Sequence, residues 1–281
     1  MYTVLSIGVS YASLAFVDRM EGNTGKFRIV STPAVYENRV FIQTKFHFDG
    51  NYSAQYDYFS VYAVDIREQM APRMIVAWNH TFKAERSANQ NLGSHPSVFY
   101  VSSQNVRLIC YSFVSQEKWN VECLLDSGKN ASIQFSTLLP ELKGVSLEFV
   151  LQNEKNLLWC FIRGQPTMLA VDVFSGNISQ KIDLRAFLGD KTASVSSQVN
   201  LVSSIVSPTE TLLFGAQTLN ENSLVYVDVS SFPPKLIWSL PIGGKEGPQI
   251  KGQQNLLSTK NESTYAIVFS TFKDGVYCVG N

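Results

Sequence analysis

Short apolar bursts, each closed by a polar or small residue, run the length of this chain. One of them recurs: SLAFVD (13–18), SVYAVD (60–65), VECLLD (121–126), TMLAVD (167–172) and SLVYVD (223–228) are variants of a single string. A sixth copy, GVYCVG (275–280), carries Gly280 where the others carry Asp. Large apolar positions fall at strand spacing within each copy, so each predicts a short β-strand ending at an acid. Counted on the last residue, the copies stand 47, 61, 46, 56 and 52 residues apart.

The repetition extends to both sides. An apolar run led by a polar turn precedes each copy: TVLSIGV (3–9), ENRVFIQT (37–44), QNVRLICYSF (104–113), EKNLLWCFI (154–162), ETLLFGA (210–216) and STYAIVFS (263–270). A third run follows most acids: GKFRIV (25–30), RMIVAW (73–78), ASIQF (131–135), QKIDL (180–184) and KLIWSL (235–240). A looser element opens most units: TPAV (32–35), HPSV (95–98), SLEF (146–149), NLVS (200–203) and GPQI (247–250). Four short strands per unit, repeated, predict an all-β fold: a β-propeller of four-stranded antiparallel blades, about five to six units in one domain spanning 1–281. The first and last units are partial, which suggests a piece of a ring of seven or eight blades.

The acids Asp18, Asp65, Asp126, Asp172 and Asp228 sit at strand-to-turn junctions, where a carboxylate accepts backbone N–H bonds and sets the turn. A metal or catalytic role is the competing reading, but five acids in five successive units are far apart.

The order small-Pro-Ala-Val, apolar strand, Val-Tyr-Ala-Val-Asp, turn and strand ending in Trp, as in TPAVYENRVFIQT, SVYAVD and RMIVAW, resembles the PQQ-like repeat, or quinoprotein alcohol dehydrogenase-like, β-propellers. SLVYVDVSSFPPKLIW (223–238) and FKDGVYCVG (272–280) match in part. The resemblance implies that Trp78 and Trp238, at blade ends, dock one blade on the next. It offers two functions. Many such propellers are non-catalytic scaffolds that bind a protein or a ligand. The dehydrogenases instead hold pyrroloquinoline quinone with a stacking Trp, a Ca²⁺ ion, a catalytic Asp and a disulfide between adjacent Cys. No adjacent Cys pair exists in this chain, so the scaffold with no cofactor is the expectation and the dehydrogenase, or a fragment of one, the alternative.

Charge narrows the partners. Lys+Arg and Asp+Glu are 23 each, and the chain has no basic stripe, which argues against nucleic acid. Apolar runs are too short for a membrane span. Met1–Val17 reads either as the first strands of the repeat or as a signal peptide.

The four Cys show no metal-ligand spacing. If the hairpin between QNVRLICYSFV and WNVECLL turns through Ser115–Lys118, Val114 faces Trp119 and Cys110 faces Cys123, within disulfide reach. The other reading is two buried free thiols. Cys160 and Cys278 are expected in the core. Sequons occur at Asn51, Asn79, Asn130, Asn177 and Asn261. All but Asn79, which follows Trp78 at a strand end, fall in predicted turns. A disulfide and glycans together would mean a secreted or luminal protein.

Catalytic motifs are missing: no HExxH, GxSxG, EF-hand or phosphate loop occurs, GNTGK (22–26) is a turn, and His47, His80 and His95 are scattered. The candidate binding loop is KFHFDGNYSAQYDYF (45–59), with Tyr52, Tyr56 and Tyr58 offering low-entropy contact area. The competing reading packs these rings on their own blade.

Overall fold

The computed structural model describes residues 25–29, 33–48, 56–67, 73–85, 96–115, 117–143, 146–203, 210–244, 250, 255–258, 265–271 and 275–280. They form five antiparallel sheets, met one after another along the chain. The first contains β1 (Gly25–Ile29), β2 (Ala34–Tyr36), β3 (Arg39–Phe48), β4 (Tyr56–Arg67) and β5 (Arg73–Glu85). The second is β6 (Ser97–Val101), β7 (Val106–Ser115), β8 (Lys118–Asp126) and β9 (Ala131–Leu139). The third is β10 (Leu147–Gln152), β11 (Leu157–Ile162), β12 (Thr167–Asp172) and β13 (Ile178–Asp183), followed by one short helix, α1 (Leu184–Leu188). The fourth holds β14 (Ser194–Val195), β15 (Asn200–Ser203), β16 (Glu210–Gln217), β17 (Glu221–Asp228) and β18 (Lys235–Gly244). The fifth has β19 (Asn255–Ser258), β20 (Tyr265–Thr271) and β21 (Gly275–Gly280). Consecutive strands pair as meanders, and the all-β propeller expected from the repeat is the fold.

The core lies between sheets. Strand β11 shows why its sequence, LLWCFI, is apolar throughout. Leu158, Cys160 and Ile162 pack with Leu108, Cys110 and Val121 of the second sheet. Leu157, Trp159 and Phe161 point the other way, onto Leu212, Phe214 and Val225 of the fourth. A period-two strand sandwiched between two neighbours has no polar face left to show. The same alternation on β7 sends Ile109 and Tyr111 toward the first sheet and Leu108 and Cys110 toward the third.

A feature of the outer strands was not visible in the repeat. Each of the four complete blades has a one-residue bulge at the same place in its last strand: Ala77, Gln134, Ser179 and Ile237 are skipped by the register. A bulge bends and twists an edge strand, which discourages pairing with another chain. Of the residues that follow the bulges, Trp78, Phe135 and Trp238 pack in clusters shared with the neighbouring blade, and Gln180 is buried.

Several expectations need correction. GKFRIV is not the outer strand of an earlier unit: β1 pairs along one half of β3 (Ile29 opposite Thr44) and β2 along the other (Tyr36 opposite Arg39). Together they make a two-piece inner strand, because β3 is ten residues long and neither piece spans it. The fourth blade repeats this with β14 and β15 along β16. In the last unit the strand is Asn255–Ser258; of GPQI, Ile250 is buried and the other residues lie outside the described set. Residues 45–48 and 56–59 are strand, with Lys45 opposite Phe59 and Phe46 opposite Tyr58, and 49–55 lie outside the described residues. Asn79 sits inside β5, since that strand continues past Trp78 to Glu85. Cys278 is exposed on the edge strand β21, while Cys160 is buried.

Candidate functional site

The seam between the first two blades gathers the densest polar chemistry among the described residues. At one end of the strands, Arg39 opens β3 and Arg107 lies next to the start of β7. Each sits opposite the acid of its own blade, Asp65 and Asp126, by register. Arg39 Nε donates to Asp65 Oδ1 at 2.6 Å, and its Nη1 crosses the seam to Asp126 Oδ1 and Oδ2 at 2.9 and 3.0 Å. Asp126 Oδ1 also accepts from Trp78 Nε1 at 2.9 Å and from Gly128 N at 2.8 Å, and Oδ2 from Arg107 Nη1 at 3.1 Å. The Asp126 side chain is wholly buried. A buried carboxylate is tolerated only when its lone pairs are satisfied, and here every donor that surrounds it is charged or fixed by the fold. The bond to Asp65 holds the Arg39 guanidinium charged, more than offsetting the burial that opposes it.

Further along the same seam, the Tyr111 hydroxyl donates to Glu122 Oε1, and His80 Nε2 lies 3.0 Å from that oxygen. Burial first, and the Glu122 carboxylate second, push the Tyr111 phenol well above its ordinary range. Phe82 stacks over Phe59 and Tyr111 at 5.4 and 5.3 Å between centroids and closes the apolar wall.

A cavity of about 630 Å³ opens at the arginine end, lined by Tyr36, Glu37, Tyr100, Asn105, Arg107 and Asp126 among others. Arg107 lies over the Tyr36 ring at 4.7 Å and donates Nη2 to Glu37 Oε2 at 3.2 Å.

The sequence-derived residues are distributed as follows. Cys110 and Cys123 face each other on β7 and β8 and are disulfide-bonded. Asp172 Oδ1 accepts from Phe174 N and Ser175 N at 3.0 and 2.7 Å. Asp228 Oδ1 accepts from Ser230 N and Oγ at 2.8 and 2.5 Å. Asp65 holds Arg39, and Asp126 combines its turn bond with the seam contacts above. Trp78 joins the apolar cluster shared by the first two sheets, and Trp238 stacks on Tyr226 at 5.2 Å beside Ile267 of the fifth. Asn130 and Asn177 are exposed in turns, and Asn79 is exposed on β5. Tyr56 and Tyr58 lie on β4. Asp18, Asn51, Tyr52 and Asn261 lie outside the described residues. Among those described, no three His, Cys, Asp or Glu side chains converge as a metal site would require, and no helix is long and apolar enough to cross a membrane.

Arg39 and Arg107 were missed by sequence reasoning. Their signal was present: ENR and NVR open the second strand of consecutive units, opposite the repeated Asp.

Neither a known protein family nor a curated protein matches the chain. Solved structures do. Sqt1 of Saccharomyces cerevisiae is 11% identical, over 88% of this chain and 70% of that one, with a TM-score of 0.50. The periplasmic gluconolactonase PpgL of Pseudomonas aeruginosa is 12% identical, over 86% of this chain and 85% of that one, with a TM-score of 0.40. The likeness to Sqt1 shows a shared β-propeller fold and, at this identity, nothing about activity.

Proposed function

We propose that this chain is a non-catalytic β-propeller of the PQQ-like repeat type, an interaction scaffold for a protein or small ligand, working in the secretory lumen or outside the cell. The observation that carries this is Asp126. The acid best placed for chemistry is enclosed by five donor contacts from two blades, so it ties those blades together and its lone pairs are already engaged rather than free to act as a base. The tryptophans support the same reading: Trp78 and Trp238 sit on outer strands in apolar clusters shared by adjacent blades, as packing residues would. The stretch 45–59, with Tyr52, Tyr56 and Tyr58, is the first contact surface to test. The Cys110–Cys123 disulfide and the exposed turn sequons Asn130 and Asn177 favour an oxidising, glycosylating compartment.

The test is twofold. Incubation with pyrroloquinoline quinone and Ca²⁺ should give no absorbance change and no dye reduction; a coloured, dye-reducing complex would establish the dehydrogenase instead. Protein purified from its native source should lose mass on glycan removal and yield a crosslinked partner that the Tyr52→Ala/Tyr56→Ala/Tyr58→Ala variant loses. A native mass unchanged by glycan removal would withdraw the luminal assignment.

A further inference from the structure

The cavity at the arginine end of the first seam has a charge imbalance that its own residues do not settle. Three ionisable side chains line it: Arg107 against Asp126 and Glu37. One guanidinium group faces two carboxylates, which leaves one formal negative charge, and the Arg39–Asp65 pair beside Asp126 adds none. Its location follows from the contacts. Asp126 is buried under both arginines, and Asp65 is held by Arg39 at 2.6 Å. Among the described residues Glu37 pairs with Arg107 at 3.2 Å, and its side chain is 67% exposed. Exposed pairs of this kind are weak, so the Glu37 carboxylate is available to a second cation.

Glu37 and Asn105 hold equivalent turn positions, each two residues before its blade's arginine and with φ of +52° and +54°, and both side chains line the cavity. Two aromatic walls complete the site. Tyr36 already carries a flat guanidinium, that of Arg107, and Tyr100 presents a ring that is 43% exposed across the opening, its hydroxyl tied to Asn105 Oδ1. A carboxylate between aromatic faces attracts a cation by charge and by ring quadrupole together.

We propose that this cleft binds the guanidinium or ammonium group of a basic side chain presented by a polypeptide partner, with Glu37 as the counter-ion and Tyr100 as the stacking surface. This rests on the scaffold reading and gives it a second contact point, distinct from the stretch 45–59. The Arg107 charge is balanced by Asp126, which its Nη1 reaches at 3.1 Å.

The experiment is a fluorescence-anisotropy titration of labelled hexa-arginine peptide with the full chain at low and at physiological salt. Hexaglutamate serves as the opposite-charge probe and free arginine as the small-molecule competitor. Wild type should bind hexa-arginine and not hexaglutamate. Glu37→Gln and Tyr100→Ala should each weaken binding by about five- to tenfold, the size expected of one charge or one cation–ring contact. Glu154→Gln, an exposed acid on the third blade, should change nothing. Free arginine should compete only at far higher concentration, since the partner is a chain. Absent binding, equal binding of hexaglutamate, or equal affinity of wild type and Glu37→Gln would each overturn the proposal, as would a Glu154→Gln loss matching that of Glu37→Gln. Because the quinone assay reads the scaffold assignment separately, failure of the cleft leaves that assignment to its own test.

Discussion

Replacing Asp126 by alanine tests whether one copy of the repeated acid has become the joint between two blades. In the native chain its carboxylate meets Arg39, Arg107, Trp78 Nε1 and Gly128 N, and its side chain is wholly buried. The alanine variant leaves Arg39, only 10% exposed, with Asp65 alone, and strands the buried Trp78 indole N–H at the seam. Removing one member of a buried charge network costs about 3–5 kcal/mol, because the remaining charge stays desolvated. Asp172→Ala removes an acid from the same repeat position, but one that bonds only backbone groups of its own turn among the contacts above. Its expected cost is about 1–2 kcal/mol. The difference of about 1–4 kcal/mol, at about 2–4 °C per kcal/mol for a chain near this size, should separate the two variants by roughly 2–16 °C in melting temperature. Thermal unfolding followed by far-ultraviolet circular dichroism and by fluorescence of the four Trp reads both midpoints. Arg39→Met should reproduce much of the Asp126→Ala loss, and the double variant should fall well short of the sum. Equal costs for Asp126→Ala and Asp172→Ala would refute the claim that the seam contacts, beyond the turn, give Asp126 its weight.

Three further outcomes are expected. A thiol reagent should label Cys278 in the folded protein and spare Cys160, which is buried and whose pKa is raised by that burial; denaturation should expose both, and only reduction should release Cys110 and Cys123. Native labelling of two thiols would contradict the packing of β11. Gly215→Ala should destabilise by about 1–3 kcal/mol in urea, because the added carbon would come within 2.9 Å of Ile250 Cβ and Ser196 Oγ; Gly128→Ala, with open space around it, should show only the smaller strain of its positive φ. Tyr111 keeps its proton in the folded state at a pH where the unfolded phenol loses it, so its contribution is whole below the ordinary tyrosine value of 10.0 and falls as the pH rises above it. Alkaline unfolding of Tyr111→Phe should therefore be shallower than that of wild type, and identical curves would sink the assignment.

Much of this architecture was legible in the sequence because it is local. A hairpin's register follows from its turn, so the Ser115–Lys118 turn alone placed Cys110 against Cys123. The repeated acid marked each third strand. What tertiary structure decided lies across blades or along a single strand's length. Arg39 and Asp126 are 87 positions apart, and no periodicity says which of five equivalent acids an arginine will reach. GKFRIV had the composition of an outer strand and became an inner one, because β3 was long enough to pair with it beside β2. The bulges at Ala77, Gln134, Ser179 and Ile237 leave no mark in the apolar pattern, since a skipped residue can be of any type. The cleft between Tyr36, Glu37 and Tyr100 exists only when two blades stand side by side. Strand formation needs neighbours a few residues away, whereas a seam needs the whole ring's geometry, and only folding supplies it.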